Sequence, residues 1–256
     1  GGGTGGGVRL TANYVRALED SVKTRFGSNL IHCMSHSTEN LYQYSHGSVV
    51  RASDDFYPNR PETQTTHLVN VAYNSLFLGE IALPDWDMFT SRNEAASLHA
   101  AARAVGGCPV YVSDAPAQHD AELLRRLVLP DGTVLRAKLP GRPTRDALFA
   151  NCGADGRSAL KVWNVNSAMG AVVGAFNVQG SSWNFRRRRQ ERMPGSAPTI
   201  STQVRPSDAE HLRRHSGGVA AWCHRGGQLT LLPNIDAAIE LTLRPKQWEI
   251  VSFSPV

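Results

Sequence analysis

The sequence changes its periodicity at Pro130-Asp131-Gly132, and that switch constrains the fold more than any other feature. Ahead of it, short apolar runs of strand type alternate with stretches of helical spacing. Leu10, Tyr14, Leu18 and Val22 recur every four residues, so 11–26 reads as an amphipathic helix with Thr11 as its cap and Gly27 as its end. Residues 30–34 and 49–52 read as strands, 64–79 returns to helical spacing, and an Ala-rich helix over 93–105 stops at Gly106-Gly107. A strand over 109–112 and a further helix around Leu123, Leu124, Leu127 and Val128 follow. Strands that alternate with helices predict βα units and a parallel sheet. Beyond the turn-rich junction Leu139-Pro140-Gly141-Arg142-Pro143, only strand-type runs remain, at 160–165, 171–178, 220–224, 229–232, 239–243 and 249–253. Gly226-Gly227 is a hairpin turn in this pattern, and 184–218 reads as a long irregular excursion. Two domains are expected, 1–138 of βα type and 139–256 of antiparallel β type.

Composition removes several classes of function. An apolar fraction of 41% and a charged fraction of 19% are those of an ordinary globular chain. No run of about 18 apolar residues appears, so no membrane partner is expected. The net charge of +5 is concentrated in Arg186–Arg189 and in Arg205, Arg213, Arg214 and Arg225. That block runs into Pro194, Gly195, Ser196 and Pro198, a loop rather than a stacking face, so nucleic acid is not expected either. Cys33, Cys108, Cys152 and Cys223 lie far apart without a C-x-x-C pair, which favours a reducing, cytoplasmic setting over zinc or a disulfide framework. His32, His36 and His46 match no compact ligand spacing. Neither a G-x-S-x-G elbow nor a glycine-rich phosphate loop after a strand is present. No metal and no cofactor are expected.

The polar residues at the ends of the predicted strands are the candidates for chemistry, because βα folds carry their sites at the carboxyl ends of strands. Ser35-His36, Ser53-Asp54-Asp55, Asp85-Trp86-Asp87 and Ser113-Asp114 all occupy such ends. They describe either a polar, sugar-sized cleft or a set of helix caps. Cleavage or transfer of a glycosyl group needs two carboxyl groups, about 5–5.5 Å apart in a retaining enzyme. Arg51 and Asp55, four positions apart at a strand end, offer one carboxyl group beside a guanidinium, a spacing that a surface salt bridge shares.

Longer motifs narrow the choice. Val50-Arg51-Ala52-Ser53-Asp54-Asp55-Phe56-Tyr57-Pro58, the stretch from Val71-Ala72-Tyr73-Asn74 through Pro84-Asp85-Trp86-Asp87-Met88-Phe89, and Gly106-Gly107-Cys108-Pro109-Val110-Tyr111-Val112-Ser113-Asp114 follow one another. Leu127-Val128-Leu129-Pro130-Asp131-Gly132 and Leu139-Pro140-Gly141-Arg142-Pro143-Thr144-Arg145-Asp146 continue the series. In this order the motifs resemble the raffinose synthase, seed-imbibition-protein and alkaline α-galactosidase group of glycoside hydrolase family 36. The resemblance is close over 8–183 and looser to the end.

That resemblance implies a (β/α)8 TIM barrel followed by an antiparallel β-sandwich, with residues 30–112 as barrel strands five to eight. It implies retaining α-galactosyl transfer from galactinol to sucrose, or hydrolysis of raffinose-type oligosaccharides. By its R-x-x-x-D pattern Asp55 is the acid/base, with Asp54 the second choice. Arg51, Trp86 and Asp87 are then substrate contacts, Trp86 through an indole face against the pyranose. The family's nucleophile lies in a K-x-D strand, and none is present ahead of Val8-Arg9-Leu10. The chain is therefore expected to be a fragment, inactive alone, with any plastid address upstream. A non-catalytic remnant serving as a binding or assembly module is the alternative from another class.

Overall fold

The computed structural model describes residues 4–166 and 170–256, so Gly1–Gly3 of the glycine run Gly1–Gly7 lie outside the described residues. In chain order the first half is α1 (Gly6–Phe26), β1 (Ile31–His32), α2 (Thr38–Leu41), β2 (Val49–Arg51), α3 (Thr63–Leu78), β3 (Leu83–Asp85), α4 (Ala96–Gly106) and α5 (Ala121–Arg125). The second half is β4 (Arg142–Pro143), β5 (Leu160–Val165), β6 (Ala171–Phe176), β7 (Ser181–Asn184), β8 (Arg189–Arg192), β9 (Ile200–Val204), β10 (Val219–Cys223), β11 (Gln228–Leu232), β12 (Ile239–Leu243) and β13 (Trp248–Pro255), with two 3₁₀ turns between β9 and β10.

Three parallel strands, in the order β1-β2-β3, form the first sheet. The register sets Arg51 beside Asp85, which brings two strand ends together. The helices form because their apolar residues recur on one face. On α3 these are Leu68, Val71, Ala72 and Leu78, and on α4 Leu98, Ala101, Ala102 and Val105, all buried in one core with Val50 and Trp86. Each fully buried Leu or Val contributes about 1.5–3 kcal/mol. Two glycines end α4. A Cβ on Gly106 would lie 2.9 Å from Trp86 Cε2, and Gly107 takes φ +67° in the left-handed region as the C-cap.

The second half packs onto the same core. Six strands in the order β11-β10-β13-β6-β5-β4 make an antiparallel sheet. Alternation along the strands sends Val172 and Phe176 toward α3 and α4, and Ala171, Val173 and Ala175 toward the opposite side. There the β9–β12 ribbon covers Val219, Ala221, Val251 and Phe253 with Ile200, Val204 and Leu243. Lys161 is buried on that side, with its Nζ 2.7 Å from Asp146 Oδ2, 2.9 Å from Asp208 Oδ2 and 2.9 Å from the Gln203 carbonyl. It ties β5 to β9 and to the first 3₁₀ turn.

Three expectations change. Thr11 lies inside α1, which starts at Gly6 with no side-chain cap. Residues 109–112 form no regular strand; one parallel bridge, Phe89 to Val112, marks their place. The 184–218 segment is ordered, comprising most of the β7–β8 hairpin, β9 and both 3₁₀ turns.

Helix α1 is fastened by one carboxylate. Glu19 accepts hydrogen bonds from the N–H groups of Ser45, His46 and Gly47 at 2.8–2.9 Å and from Ser45 Oγ at 2.8 Å, with His32 Nε2 at 3.0 Å. Burial pushes its pKa up, but these donors outweigh it and hold the group at about 2. The loop they fix leads directly into β2. Because the folded pKa is depressed, this contribution is full above the ordinary carboxylate range and fades as pH falls toward 2. Glu19→Gln is expected to lower stability by about 3 kcal/mol at pH 7 in urea unfolding, with the difference from the parent shrinking below about pH 4. Equal stability at pH 7 would show the knot to be dispensable.

Candidate active site

The end of β2 projects Arg51 across the ends of the neighbouring segments, and its guanidinium gathers three carboxyl groups. Nε donates to Asp85 Oδ2 at 2.7 Å, Nη1 donates to Asp55 Oδ1 at 3.3 Å, and Nη2 lies 2.8 Å from Asp87 Oδ1. Tyr111 joins them: its hydroxyl donates to Asp85 Oδ2 at 2.9 Å and accepts from Arg51 Nη2 at 3.4 Å. Burial disfavours the charged form of Arg51, but the bond to Asp85 and the charge of Asp87 prevail and raise its pKa. The Tyr111 hydroxyl is pushed up by burial and by Asp85, so it stays protonated as a donor.

The three carboxyl groups differ in access. The side chains of Asp85 and Asp87 are 0% and 2% exposed, whereas that of Asp55 is 64% exposed. Asp87 has a left-handed backbone, φ +61°, and its Oδ2 accepts from the Phe56 N–H at 2.8 Å. Asp is one of the few non-glycine residues that tolerate that conformation, and here its surroundings hold it.

The enforcing group is Arg103 on α4, which is completely buried. Its Nε donates to the Asp87 carbonyl at 2.9 Å, its Nη2 to the Trp86 and Met88 carbonyls at 2.7 and 2.9 Å, and its Nη1 to the His99 carbonyl at 3.1 Å. The guanidinium carbon also sits 5.1 Å from the centre of the Phe89 ring. His67 and His99 flank it. Burial and the Arg103 charge lower both imidazoles, His67 to about 4, so both are neutral at pH 7 and add no repulsion.

The structure therefore brings Arg51, Asp55 and Asp87 together. Asp54 points elsewhere: its Oδ1 accepts from the Asp55 N–H at 3.1 Å, and its own N–H donates to Asn70 Oδ1 at 2.7 Å. Trp86 is a correction. Its side chain is wholly buried between Gly106 and the core, so it presents no face to a sugar and instead packs the wall behind the site. Asp114 also leaves the cluster, accepting the Ser91 N–H at 2.9 Å. Tyr111 and Arg103 were missed as members of the site, and Asp85 was named at a strand end but not as a partner of Arg51. The parallel-strand register opposite Arg51 is the signal that would have found Asp85.

A guanidinium that binds two buried carboxylates and steadies a third, open one can position an acid/base group for proton transfer. Parallel βα units with such a cluster at their carboxyl ends, followed by an antiparallel β-domain, define the class: a barrel-plus-β-domain fold. The α-galactosidase of Saccharomyces cerevisiae bound to raffinose has this fold, with a TM-score of 0.65 over 99% of this chain and 70% of that one at 10% identity. The chain belongs to the family described as raffinose synthase or seed imbibition protein Sip1, whose model matches residues 1–256. It is 47% identical to the Probable galactinol--sucrose galactosyltransferase 1 of Arabidopsis thaliana over 265 residues, covering 100% of this chain and 34% of the relative. It is 41% identical to the galactinol--sucrose galactosyltransferase of Oryza sativa subsp. japonica, covering 98% and 34%. The chain thus spans about a third of the length of the curated relatives it matches.

Arg103→Lys tests the clamp, because a single ammonium cannot span four carbonyls in a planar array. It is expected to cost about 3 kcal/mol in chemical denaturation and to speed amide exchange across residues 85–89. Unchanged exchange there would show that the left-handed turn holds without the guanidinium.

Proposed function

We propose that this chain carries the acid/base part of a retaining α-galactosyl-transferring enzyme that moves galactose from galactinol to sucrose. The observation that carries it is the asymmetry around Arg51: of the three carboxyl groups it binds, Asp55 alone is open to a substrate. The names of the relatives supply the substrates, galactinol as donor and sucrose as acceptor.

In this mechanism a carboxylate attacks the anomeric carbon and the C1–O bond to the leaving alcohol breaks. Asp55 gives its proton to the departing oxygen. The resulting galactosyl ester is then attacked by a sucrose hydroxyl, whose proton returns to Asp55 as the C1–carboxylate bond breaks. Raffinose and both original carboxyl groups result. Asp85 and Asp87 do not serve as the nucleophile, because both are buried and bound to Arg51. That carboxylate belongs, on this proposal, to the remaining part of the longer protein. The parallel sheet is then one arc of a (β/α)8 barrel, with 1–138 as barrel and 139–256 as the β-domain. Asp87 acts by holding Arg51 and the Phe56 N–H, which fixes the segment carrying Asp55.

The test uses the full-length protein given galactinol with and without sucrose. Asp55→Asn is expected to reduce raffinose formation by about 10²–10⁴-fold, and Asp54→Asn by far less. Free galactose without raffinose from the parent would make the enzyme a hydrolase. Full activity in Asp55→Asn would move the acid/base role to Asp54.

A further inference from the structure

A concave site begins one residue before the proposed acid/base. A cleft of about 390 Å³ separates α3 from the β7–β8 hairpin, and Asp54, Asn70, Asn151, Ser182, Trp183 and Gln190 line it. That volume falls within the range of small-ligand pockets, about 300–1,000 Å³. The wall on one side is a helix in the core, so it is rigid. The other wall is held by the hairpin's own pairing, in which Trp183 lies directly opposite Gln190 and both face the same way. Glu191 fixes the tip, accepting from Asn184 Nδ2 and Arg189 Nε at 2.7 Å and from Arg187 Nη1 at 3.1 Å. Much of the arginine block is thereby used in the turn and does not line the cleft.

The lining chemistry selects a ligand. Trp183 is 43% exposed, a flat apolar face at the rim of a cleft otherwise lined largely by amides and hydroxyls. Gln190 Oε1 is buried with no hydrogen-bond partner among the described residues. Amides and hydroxyls donate and accept equally, which suits a molecule covered in hydroxyl groups. No cation lines the cleft and its single charge is Asp54, which disfavours an anion.

We infer that this cleft binds the acceptor, a neutral disaccharide, with Trp183 as its platform. The inference rests on the galactosyl-transfer reading and deepens it. The cleft starts at Asp54, the chain neighbour of Asp55, so an acceptor seated in it lies beside the acid/base segment.

The probe is sucrose, titrated calorimetrically into the full-length protein without donor. Trp183→Ala is expected to weaken sucrose binding about tenfold or more, and Trp183→Phe to stay within about threefold of the parent. Asn151→Ala, which removes an amide outside the hairpin, is expected to weaken it about fivefold and guards against a misfolded hairpin. Sucrose bound as tightly by Trp183→Ala and Asn151→Ala as by the parent overturns the assignment, as does a parent that binds no sucrose. Binding that is lost in Trp183→Ala, in a parent that makes no raffinose from galactinol, keeps the acceptor cleft and sinks the proposed reaction instead.

Discussion

A guanidinium without a direct carboxylate contact is a costly thing to bury, and Arg103 is tolerated because its donors meet carbonyls in a fixed array. That requirement propagates. The carbonyls of Trp86, Asp87 and Met88 can converge on one guanidinium only if the chain turns sharply after β3, and the turn puts Asp87 at φ +61°. The turned residue aims its carboxylate at Arg51 Nη2 and the Phe56 N–H, fixing the loop between β2 and α3 from below. Asp55 sits in that loop. The position of one open carboxyl group is thus set by a cation buried in α4, and the neutral state of His67 and His99 is part of the same arrangement.

How much of this was legible depended on whether the relevant interaction was local. Helices α1, α3 and α4 could be read because their apolar residues repeat at the period of the element that forms. Strands β5, β6 and β10–β13 could be read from compact apolar runs. The β7–β8 hairpin could not: β8 is Arg-Gln-Glu-Arg, so its order comes from cross-strand pairing and the Glu191 contacts. Strand β9 was hidden for another reason: in Ile-Ser-Thr-Gln-Val only the two end residues are apolar and buried, so no compact apolar run marks it. The Asp-Trp-Asp motif was read correctly as a strand end and incorrectly as a sugar platform, because sequence does not say which side of the wall an indole occupies. Gly106, read as a helix end, was also the clue to the indole, because a Cβ there would lie 2.9 Å from the Trp86 ring.

Arg51 faces a surplus of negative charge, and that surplus shapes what each carboxyl group can do. One guanidinium holds Asp85 at 2.7 Å and Asp87 at 2.8 Å, while the longer contact to Asp55, 3.3 Å, is made in solvent where screening weakens it. The inner pair is committed to holding Arg51 in place. The outer group is steered but not locked, so it can exchange a proton without dismantling the site.

For the transferase proposed above, the same openness creates a central difficulty, because water reaches wherever Asp55 does. An acid/base group that activates a sugar hydroxyl will activate water equally well, so the choice between transfer and hydrolysis cannot reside in Asp55. It must reside in whatever places the competing nucleophile. Holding an acceptor in register converts its attack into an effectively intramolecular step, an advantage that free water lacks, while the bound sugar also excludes water from the ester. The cleft between α3 and the β7–β8 hairpin adjoins the acid/base segment and is well placed to exert that control. If the chain takes part in galactosyl transfer as proposed, the hairpin, formed by an arginine-rich stretch with no apolar periodicity, is the part of the fold where transfer is chosen over hydrolysis.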